Sequence, residues 1–245
     1  MSCSIRDPFA ASTLWASVAA WQCLEIGGGG GSIAAWLSER VGPRGRVVVT
    51  DIQTQSLEQL RYSNLEVVQH NAVTDPLPEG AFDLVHARLL LGHLPQREVI
   101  LKRMVAALKP GGWIVIEAFD RNFNDFSYPS TNAEGAALYQ KMQTVFGHLM
   151  EARGVDPVWG RSLYRRLRAL GLVDVGMEGY MAAREGGSAG ARLARANFEQ
   201  IRQEATAAGL ITDKEVAQMF TLLDDPDFAY GSHIMFTAWG RRPQS

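Results

Sequence analysis

The sequence predicts an α/β protein organised around an open, doubly wound sheet. Three observations lead to this prediction. Apolar, strand-like runs alternate with helical patterns along the first half of the chain. Five consecutive glycines, residues 27–31, join the first of these runs to a helical pattern, and a β-branched run ends in Asp51, twenty residues beyond Gly31. A strand, a glycine turn and a helix form a corner at which a ligand can approach the bare backbone.

Size and composition narrow the class of protein. The 245 residues are enough for one domain, residues 1–245, with helical insertions, and 47% hydrophobic and 20% charged residues are ordinary for a globular chain. Basic and acidic residues number 24 and 26, a net charge of −2, so no basic excess points to nucleic acid. We therefore expect a small-molecule substrate. The oligomeric state is left open between a monomer and a homodimer.

Targeting signals and cysteines predict the compartment. No apolar run reaches the ~18 residues that a membrane span needs. The sequence begins without a basic segment followed by an apolar one, so it shows no secretion signal. Cys3 and Cys23 are the two cysteines, which do not make a disulfide framework. We therefore expect a cytoplasmic protein. We also expect no metal site, because no His, Cys and Asp residues cluster at metal-ligand spacing.

The glycine turn limits the choice of cofactor. Residues 24–26 read as the first strand, and the helix after the glycines extends to about Val41, where two glycines and a proline stop it. A dinucleotide fingerprint needs a third glycine where this chain has Ser32 or Ile33, and a phosphate-binding loop needs a lysine that does not follow here. What fits is an acid followed by alternating glycines: Glu25, Gly27, Gly29 and Gly31.

The next elements follow in order. Arg46–Asp51 is a second strand, β-branched and buried on both faces. Asp51 at its end either accepts hydrogen bonds from a ribose or caps a helix over residues 54–60. Leu65–Gln69 is a third strand, residues 82–87 a fourth and residues 113–117 a fifth; a helix over residues 96–108 joins the last two through the turn Lys109-Pro110-Gly111-Gly112.

Two stretches carry a family resemblance. The acid and alternating glycines from Glu25 to Gly31, and residues 82–117 with Lys-Pro-Gly-Gly-Trp at 109–113, resemble the motifs of class I S-adenosylmethionine (SAM) methyltransferases. The resemblance covers residues 21–120 well and the rest faintly. It implies a Rossmann-like sheet of seven strands in the order 3-2-1-4-5-7-6 with the last strand antiparallel. It also implies SAM as cofactor, S-adenosylhomocysteine as product and a hydrophobic or aromatic small molecule as methyl acceptor.

The resemblance also assigns cofactor contacts, all at the ends of strands. The acid of the first strand suits the ammonium of SAM, and the acid of the second suits its ribose. An amide oxygen and a backbone amide after the third strand suit the adenine edge, although the asparagine there is equally typical of a turn. The residues so assigned are Glu25, Gly27, Gly29, Asp51, Ile52, Asn71, Ala72, Ala87 and Arg88.

Three residues are candidates for catalysis, each with a structural alternative. His93 follows the fourth strand, where related enzymes place a histidine facing the substrate. The alternative is that His93 has no catalytic role and simply packs where the next helix begins. Glu117 ends the fifth strand and could orient a substrate hydroxyl or bond to backbone. His148 lies on a predicted helix and could reach inward. His86 and His233 are interpreted as structural, although strand alternation could also aim His86 at the site.

The second half of the chain predicts the substrate side. Helices are expected over residues 133–153, 160–169, 191–208 and 213–223, and strands over 172–181 and 233–239. Residues 120–160 and 184–230 have no place in the sheet, so we expect them to form a helical lid over the substrate. Two alternatives to a methyltransferase stay open: a SAM-binding protein of the same fold that does not transfer methyl, and an NAD-dependent oxidoreductase.

Overall fold

Strands and helices alternate from residue 22 onwards in the computed structural model, which describes residues 18–121 and 132–244. The strands are β1 Gln22–Ile26, β2 Arg46–Asp51, β3 Leu65–Gln69, β4 Phe82–Arg88, β5 Leu108–Asp120, β6 Val173–Tyr180, β7 Ala183–Glu185, β8 Ala229–Gly231 and β9 Ile234–Arg241. The helices are α1 Ser32–Val41, α2 Arg97–Ala107, α3 Ala133–Ala152, α4 Trp159–Ala169, α5 Ala189–Ala207 and α6 Asp213–Asp224.

Seven of these strands form one sheet, in the order β3-β2-β1-β4-β5-β9-β6. The first five pair in parallel, as strands joined by crossover helices must. β9 is the seventh strand of this sheet and runs antiparallel. The predicted order 3-2-1-4-5-7-6 is therefore confirmed. β7 and β8, which the sequence did not predict, pair with each other in a separate two-stranded sheet.

The chain divides into two compact units. We call one the sheet unit; it comprises the described residues up to Ala118, Trp159–Glu178 and those from Phe236 onwards. We call the other the helical unit; it comprises the described residues of Phe119–Val158 and Gly179–Met235. The residues of the helical unit nearly coincide with the segments predicted as a lid, residues 120–160 and 184–230. That this unit acts as a lid stays a prediction.

Apolar burial stabilises the sheet unit on both faces of the sheet. Four successive residues of β1 and four of β2 are buried, which is typical of strands covered by helices on both sides. α2 contributes Ile100, Leu101 and Met104 to the largest core cluster, and α4 contributes Trp159 and Leu163. The carboxyl ends of the parallel strands are thereby held on a rigid base, and ligands of open α/β sheets bind at that edge.

The helical unit has a core of its own. The buried residues of α3 are Gly135, Tyr139, Met142, Val145, Phe146 and Leu149. The last five recur at helical spacing and form one buried face of the helix. α5 and α6 add Phe198 and Met219 to the same cluster. A capping box at Thr212 and Glu215 fixes the start of α6 by pairing its free amides.

Two local predictions were wrong. The helix expected over residues 54–60 is only a short 3-10 turn at Leu57–Gln59, because seven residues are too few to sustain an isolated α-helix. The turn expected at Lys109 to Gly112 belongs to β5. Here Gly111 N donates to Arg242 O and Arg242 N donates to Gly112 O, so a partner far along the chain makes the turn sequence part of the strand. The sequence also predicts a short helix over residues 10–20, and all of it but residues 18–20 lies outside the described residues.

Candidate functional site

The glycine turn between β1 and α1 shows why its glycines alternate. Gly27, Gly29 and Gly31 have φ angles of +75°, +52° and +78°, in the left-handed region that side chains disfavour. Gly28 has an ordinary φ, but a Cβ there would lie 2.3 Å from Val49 Cγ2. Around Gly29 and Gly30 a Cβ would meet no atom of the described residues within 4 Å. The turn therefore presents open backbone to a ligand at these two positions.

Asp51 ties the end of β2 to the glycine turn. Gly29 N donates to Asp51 Oδ2 at 2.9 Å, and Gln53 N donates to Asp51 Oδ1 at 3.0 Å. The carboxylate is half-buried, and each oxygen keeps capacity for a further donor. Asp51 thus positions the turn, and the hydrogen bonds to a ribose remain a prediction.

A buried histidine links the ends of three strands. His86 on β4 lies beside Glu25 in the register between β1 and β4, and its side chain is fully buried. His86 Nε2 is 3.1 Å from Glu117 Oε2, and His86 Nδ1 is 3.8 Å from Glu25 Oε1. Thr237 on β9 donates to Glu117 Oε1 at 3.3 Å. The imidazole therefore stands between two buried carboxylates.

The two carboxylates set the charge of this group. Burial disfavours the charged imidazole, but hydrogen bonding and charge from Glu117 and Glu25 outweigh it and raise the pKa of His86 to about 9. Burial raises the pKa of Glu117 in turn, but the hydrogen bond and charge of His86 outweigh burial and lower it. At neutral pH His86 is a cation and Glu117 a carboxylate. Glu25 Oε2 is buried and receives no hydrogen bond from the described residues.

Arg88 closes the same edge of the sheet. It is opposite Glu117 in the register between β4 and β5, and its charge contributes to the lowered pKa of Glu117. Arg88 Nη2 donates to Ser32 Oγ at 2.9 Å, at the start of α1. Ala87 is buried within β4, so its contact with a ligand would be through backbone atoms. The next residue, Leu89, has a φ of +54°, and a left-handed non-glycine residue is typical of a functional loop.

The residues after β2 and β3 offer an apolar and a polar surface. Ile52 is 60% exposed, an unusual value for an isoleucine, and directly follows Asp51. Asn71 Oδ1 accepts from Val73 N at 3.0 Å, and Asn71 N donates to Asp75 Oδ2 at 2.8 Å. The asparagine therefore forms the turn that its residue type favours. Contact of Asn71 and half-buried Ala72 with adenine stays a prediction.

The three catalytic candidates lie in different surroundings. Glu117 is in the buried group with His86, so it is a carboxylate without direct exposure to solvent. His93 is exposed in the short turn Leu91–His93 after β4. His148 is exposed on α3, away from that helix's buried face, in the helical unit. Their catalytic roles stay predictions.

Sequence reasoning interpreted His86 as buried structure, and its burial is complete. It did not predict that His86 pairs with Glu117 and lies beside Glu25. The signal for this position was strand alternation: His86 and Arg88 are two positions apart on β4, so both face the same side of the sheet. Glu25 and Glu117 occupy neighbouring positions on that side.

The donor set fits SAM. A buried carboxylate oxygen without a donor suits an ammonium group, an acid at the end of β2 suits ribose hydroxyls, and an exposed isoleucine beside it suits a flat ring. The open backbone at Gly29 and Gly30 leaves room for the chain that joins these groups. No group of His, Cys, Asp or Glu among residues 18–121 and 132–244 could hold a metal ion. Within those ranges no helix has the length and hydropathy of a membrane span.

Solved structures share this fold. A candidate methyltransferase from Bacillus halodurans C-125 superposes with a TM-score of 0.62 at 15% identity, over 97% of this chain and 99% of the other. Phosphoethanolamine N-methyltransferase 2 of Haemonchus contortus, solved with S-adenosylhomocysteine, superposes with a TM-score of 0.55 at 16% identity. The superposition covers 91% of this chain and 49% of the other. Both superpositions, at under 25% identity, show that this chain has the Rossmann-like methyltransferase fold.

Sequence comparison finds a family and several relatives that are similar to part of this chain. Residues 24–116 match the family described as "Methyltransferase domain". Methyltransferase str2 of Strobilurus tenacellus is 30% identical over 150 residues, 60% of this chain and 51% of that protein. The ubiquinone/menaquinone biosynthesis C-methyltransferase UbiE of Pseudomonas fluorescens is 34% identical over 135 residues, 52% and 50% of the two chains. The chain thus spans about half the length of these curated relatives.

Proposed function

We propose that this protein transfers a methyl group from SAM to an oxygen, nitrogen or carbon atom of a hydrophobic or aromatic small molecule. The observation that carries the proposal is Glu25 Oε2, a buried carboxylate oxygen without a donor beside an open glycine turn. A dinucleotide brings phosphates, which a buried carboxylate would repel, whereas SAM brings an ammonium group. The relatives str2 and UbiE, named as methyltransferases, support the same reaction.

The residues of the chain have separate tasks in this reaction. Bound SAM supplies a methyl group on a positively charged sulfur. Glu25 would hold the ammonium and Asp51 the ribose, while Gly29 and Gly30 let the cofactor lie against backbone. Such alignment of two reactants can contribute about 7–11 kcal/mol to lowering the barrier. A base is needed only for an acceptor that is protonated at neutral pH, and His93 is our candidate for it.

Calorimetry tests the cofactor. SAM and S-adenosylhomocysteine are expected to bind, and NAD is not. Glu25→Gln keeps the shape of the side chain but removes its charge, so SAM affinity should fall about 10- to 150-fold, the equivalent of ~1.5–3 kcal/mol for a hydrogen bond to a charged group. Glu79→Gln, at an exposed loop position, is the matched control. Binding of NAD in place of SAM would overturn the proposal.

Methyl transfer needs a separate measurement. Labelled SAM incubated with a panel of phenols, amines and quinones should yield a labelled product with at least one acceptor class. A protein that binds SAM but labels none of them would be the non-transferring alternative. The mass and position of the label in the product identify the acceptor atom.

A further inference from the structure

The helical unit contains a cavity of about 150 Å³. Its walls are largely aromatic, with Phe119, Tyr139, Phe146, Tyr180, Phe198 and Tyr230 among the lining residues. A cavity of about this volume in another protein holds one benzene ring. The size and the walls therefore favour a ligand with a single aromatic ring and a short substituent.

The charged side chains among the described residues that line the cavity are both positive. Arg121 and Arg184 line it, and no Asp or Glu is among its described lining residues. The guanidinium carbon of Arg121 lies 4.5 Å from the centre of the Phe146 ring. Burial lowers the pKa of Arg121, yet an arginine side chain keeps its proton in proteins. The cavity therefore holds a fixed positive charge.

Arg121 lacks the kind of acidic partner that three other arginines of the same unit have. Arg153, Arg195 and Arg202 lie beside Glu204, Asp224 and Asp213, respectively. Among the residues that the structure describes, no carboxylate pairs with Arg121. Burying a cation without a counter-charge is costly, and an anionic ligand would offset that cost. A carboxylate suits the planar guanidinium in particular, because both oxygens can accept from it at once.

The remaining polar groups are neutral. Burial lowers the pKa of His233 to about 4; the charge of Arg121 adds to this effect and the charge of Asp120 opposes it, and the ring is uncharged at pH 7. Burial raises the pKa of Tyr230 to about 12, so its hydroxyl keeps its proton. These groups can donate hydrogen bonds to a ligand without adding a negative charge that would repel an anion.

We propose that this cavity binds a small aromatic molecule that carries one carboxylate, with the ring among the aromatic side chains and the carboxylate at Arg121. The binding itself does not depend on methyl transfer. That a molecule of this class is the methyl acceptor rests on the proposed function. An uncharged amide of the same shape should bind less well, and an amine of the same size should bind worst.

The test is calorimetry of the full chain with benzoate, benzamide and benzylamine. We expect benzoate to bind at least 10-fold more tightly than benzamide, and benzylamine to show no binding. Arg121→Met should abolish the preference for benzoate. Arg195→Met is the matched control, because Arg195 also lies over a ring, 4.4 Å from the centre of Phe220, but pairs with Asp224. It should keep the full preference.

Equal affinity for benzoate and benzamide in the wild type would overturn the proposal, as would an Arg121→Met protein that still prefers benzoate. If Arg121→Met does not fold, Arg121→Lys replaces it: the retained charge without the planar fork should lower benzoate affinity several-fold and leave benzamide unchanged. Unchanged benzoate affinity in Arg121→Lys would also overturn the proposal. Loss of SAM binding with intact benzoate binding would instead refute the proposed function alone.

Discussion

At the scale of single residues, Asp51 holds the glycine turn and is predicted to bind the ribose of SAM, and substitutions can test the two roles separately. Asp51→Ala removes the acceptors for Gly29 N and Gln53 N, so the protein without cofactor should be less stable at the glycine turn. The same substitution should weaken the binding of SAM. Asp51→Asn keeps one acceptor oxygen. We expect SAM affinity to fall about 10- to 150-fold in Asp51→Ala, the equivalent of ~1.5–3 kcal/mol, and less in Asp51→Asn. Calorimetry and thermal unfolding without ligand measure the two effects; a loss of stability with unchanged affinity would leave Asp51 a turn residue only.

Gly29 and Gly30 form a natural pair for testing the turn. Both face open space, but only Gly29 has a positive φ. Gly29→Ala should therefore destabilise the protein without ligand by about 1–2 kcal/mol, the cost of a left-handed side chain, and Gly30→Ala by much less. Denaturant unfolding measures this difference. SAM affinity should fall in both variants if the cofactor lies against both residues; unchanged affinity in both would make the glycines a spacer.

His93 is the residue that tests general-base catalysis. His93→Ala should lower kcat by roughly 100-fold or more with SAM affinity nearly intact, because base catalysis contributes typically ~10²–10⁴-fold. The acidic limb of the pH profile should disappear with it. His148→Ala, an exposed histidine of the helical unit, is the comparison. A kcat within a few-fold of wild type in His93→Ala would mean that alignment carries the reaction.

At the scale of elements, His86 joins β1, β4 and β5 through charge. Its pKa is raised from an ordinary 6.5 to about 9, so its contribution to stability is complete below pH 6.5 and is lost as the pH rises through 9. The facing charged groups are Glu25 and Glu117, with Arg88 near the latter. The free energy of unfolding should therefore fall between pH 6.5 and 9 by on the order of 3 kcal/mol.

His86→Gln should remove this pH dependence. The variant leaves two buried carboxylates without their cation and should be less stable at pH 7 by about 3–5 kcal/mol. Its unfolding free energy should stay nearly level between pH 6.5 and 9, where the wild type declines. Urea unfolding at several pH values measures both curves, and His148→Gln controls for an exposed histidine. A parallel decline in the His86→Gln protein would show that other groups cause the effect.

The elements also show what sequence could and could not predict. β1 to β4 were predicted to within two residues, because their apolar runs are local and bounded by turn residues. The start of β5 was missed, since its first residues gain strand pairing from Phe82 of β4 and from Arg242, which are distant from them in the sequence. The strand, glycine turn and helix around Glu25 and Gly29 were predicted from the sequence and are present in the structure, while their role in binding a cofactor stays a prediction. The group around His86 was not predicted, because three strands assemble it. Nor was the cavity at Arg121, whose missing acidic partner is a property of the folded chain.

At the scale of the whole molecule, hydrogen exchange tests the predicted lid. S-adenosylhomocysteine should slow amide exchange at the glycine turn and at the residues following β2 and β4 in the sheet unit. If residues 120–160 and 184–230 act as a lid, addition of an acceptor should then slow exchange in α3 and α5 of the helical unit. Mass spectrometry of peptides from both units measures this. Unchanged exchange in the helical unit during turnover would contradict the lid.

The position of β9 within the sheet has a consequence for synthesis on the ribosome. β5 ends at Asp120, and the strand that lies between β5 and β6 begins only at Ile234. While the intervening residues are being translated, the nascent chain carries β5 as an uncovered sheet edge, and such edges pair readily with other chains. The region around β1 to β4 can fold early, but completion of the sheet must wait until β9, Ile234–Arg241, has been translated. A chaperone that shields this edge during translation would raise the yield of folded protein more than one that acts after release.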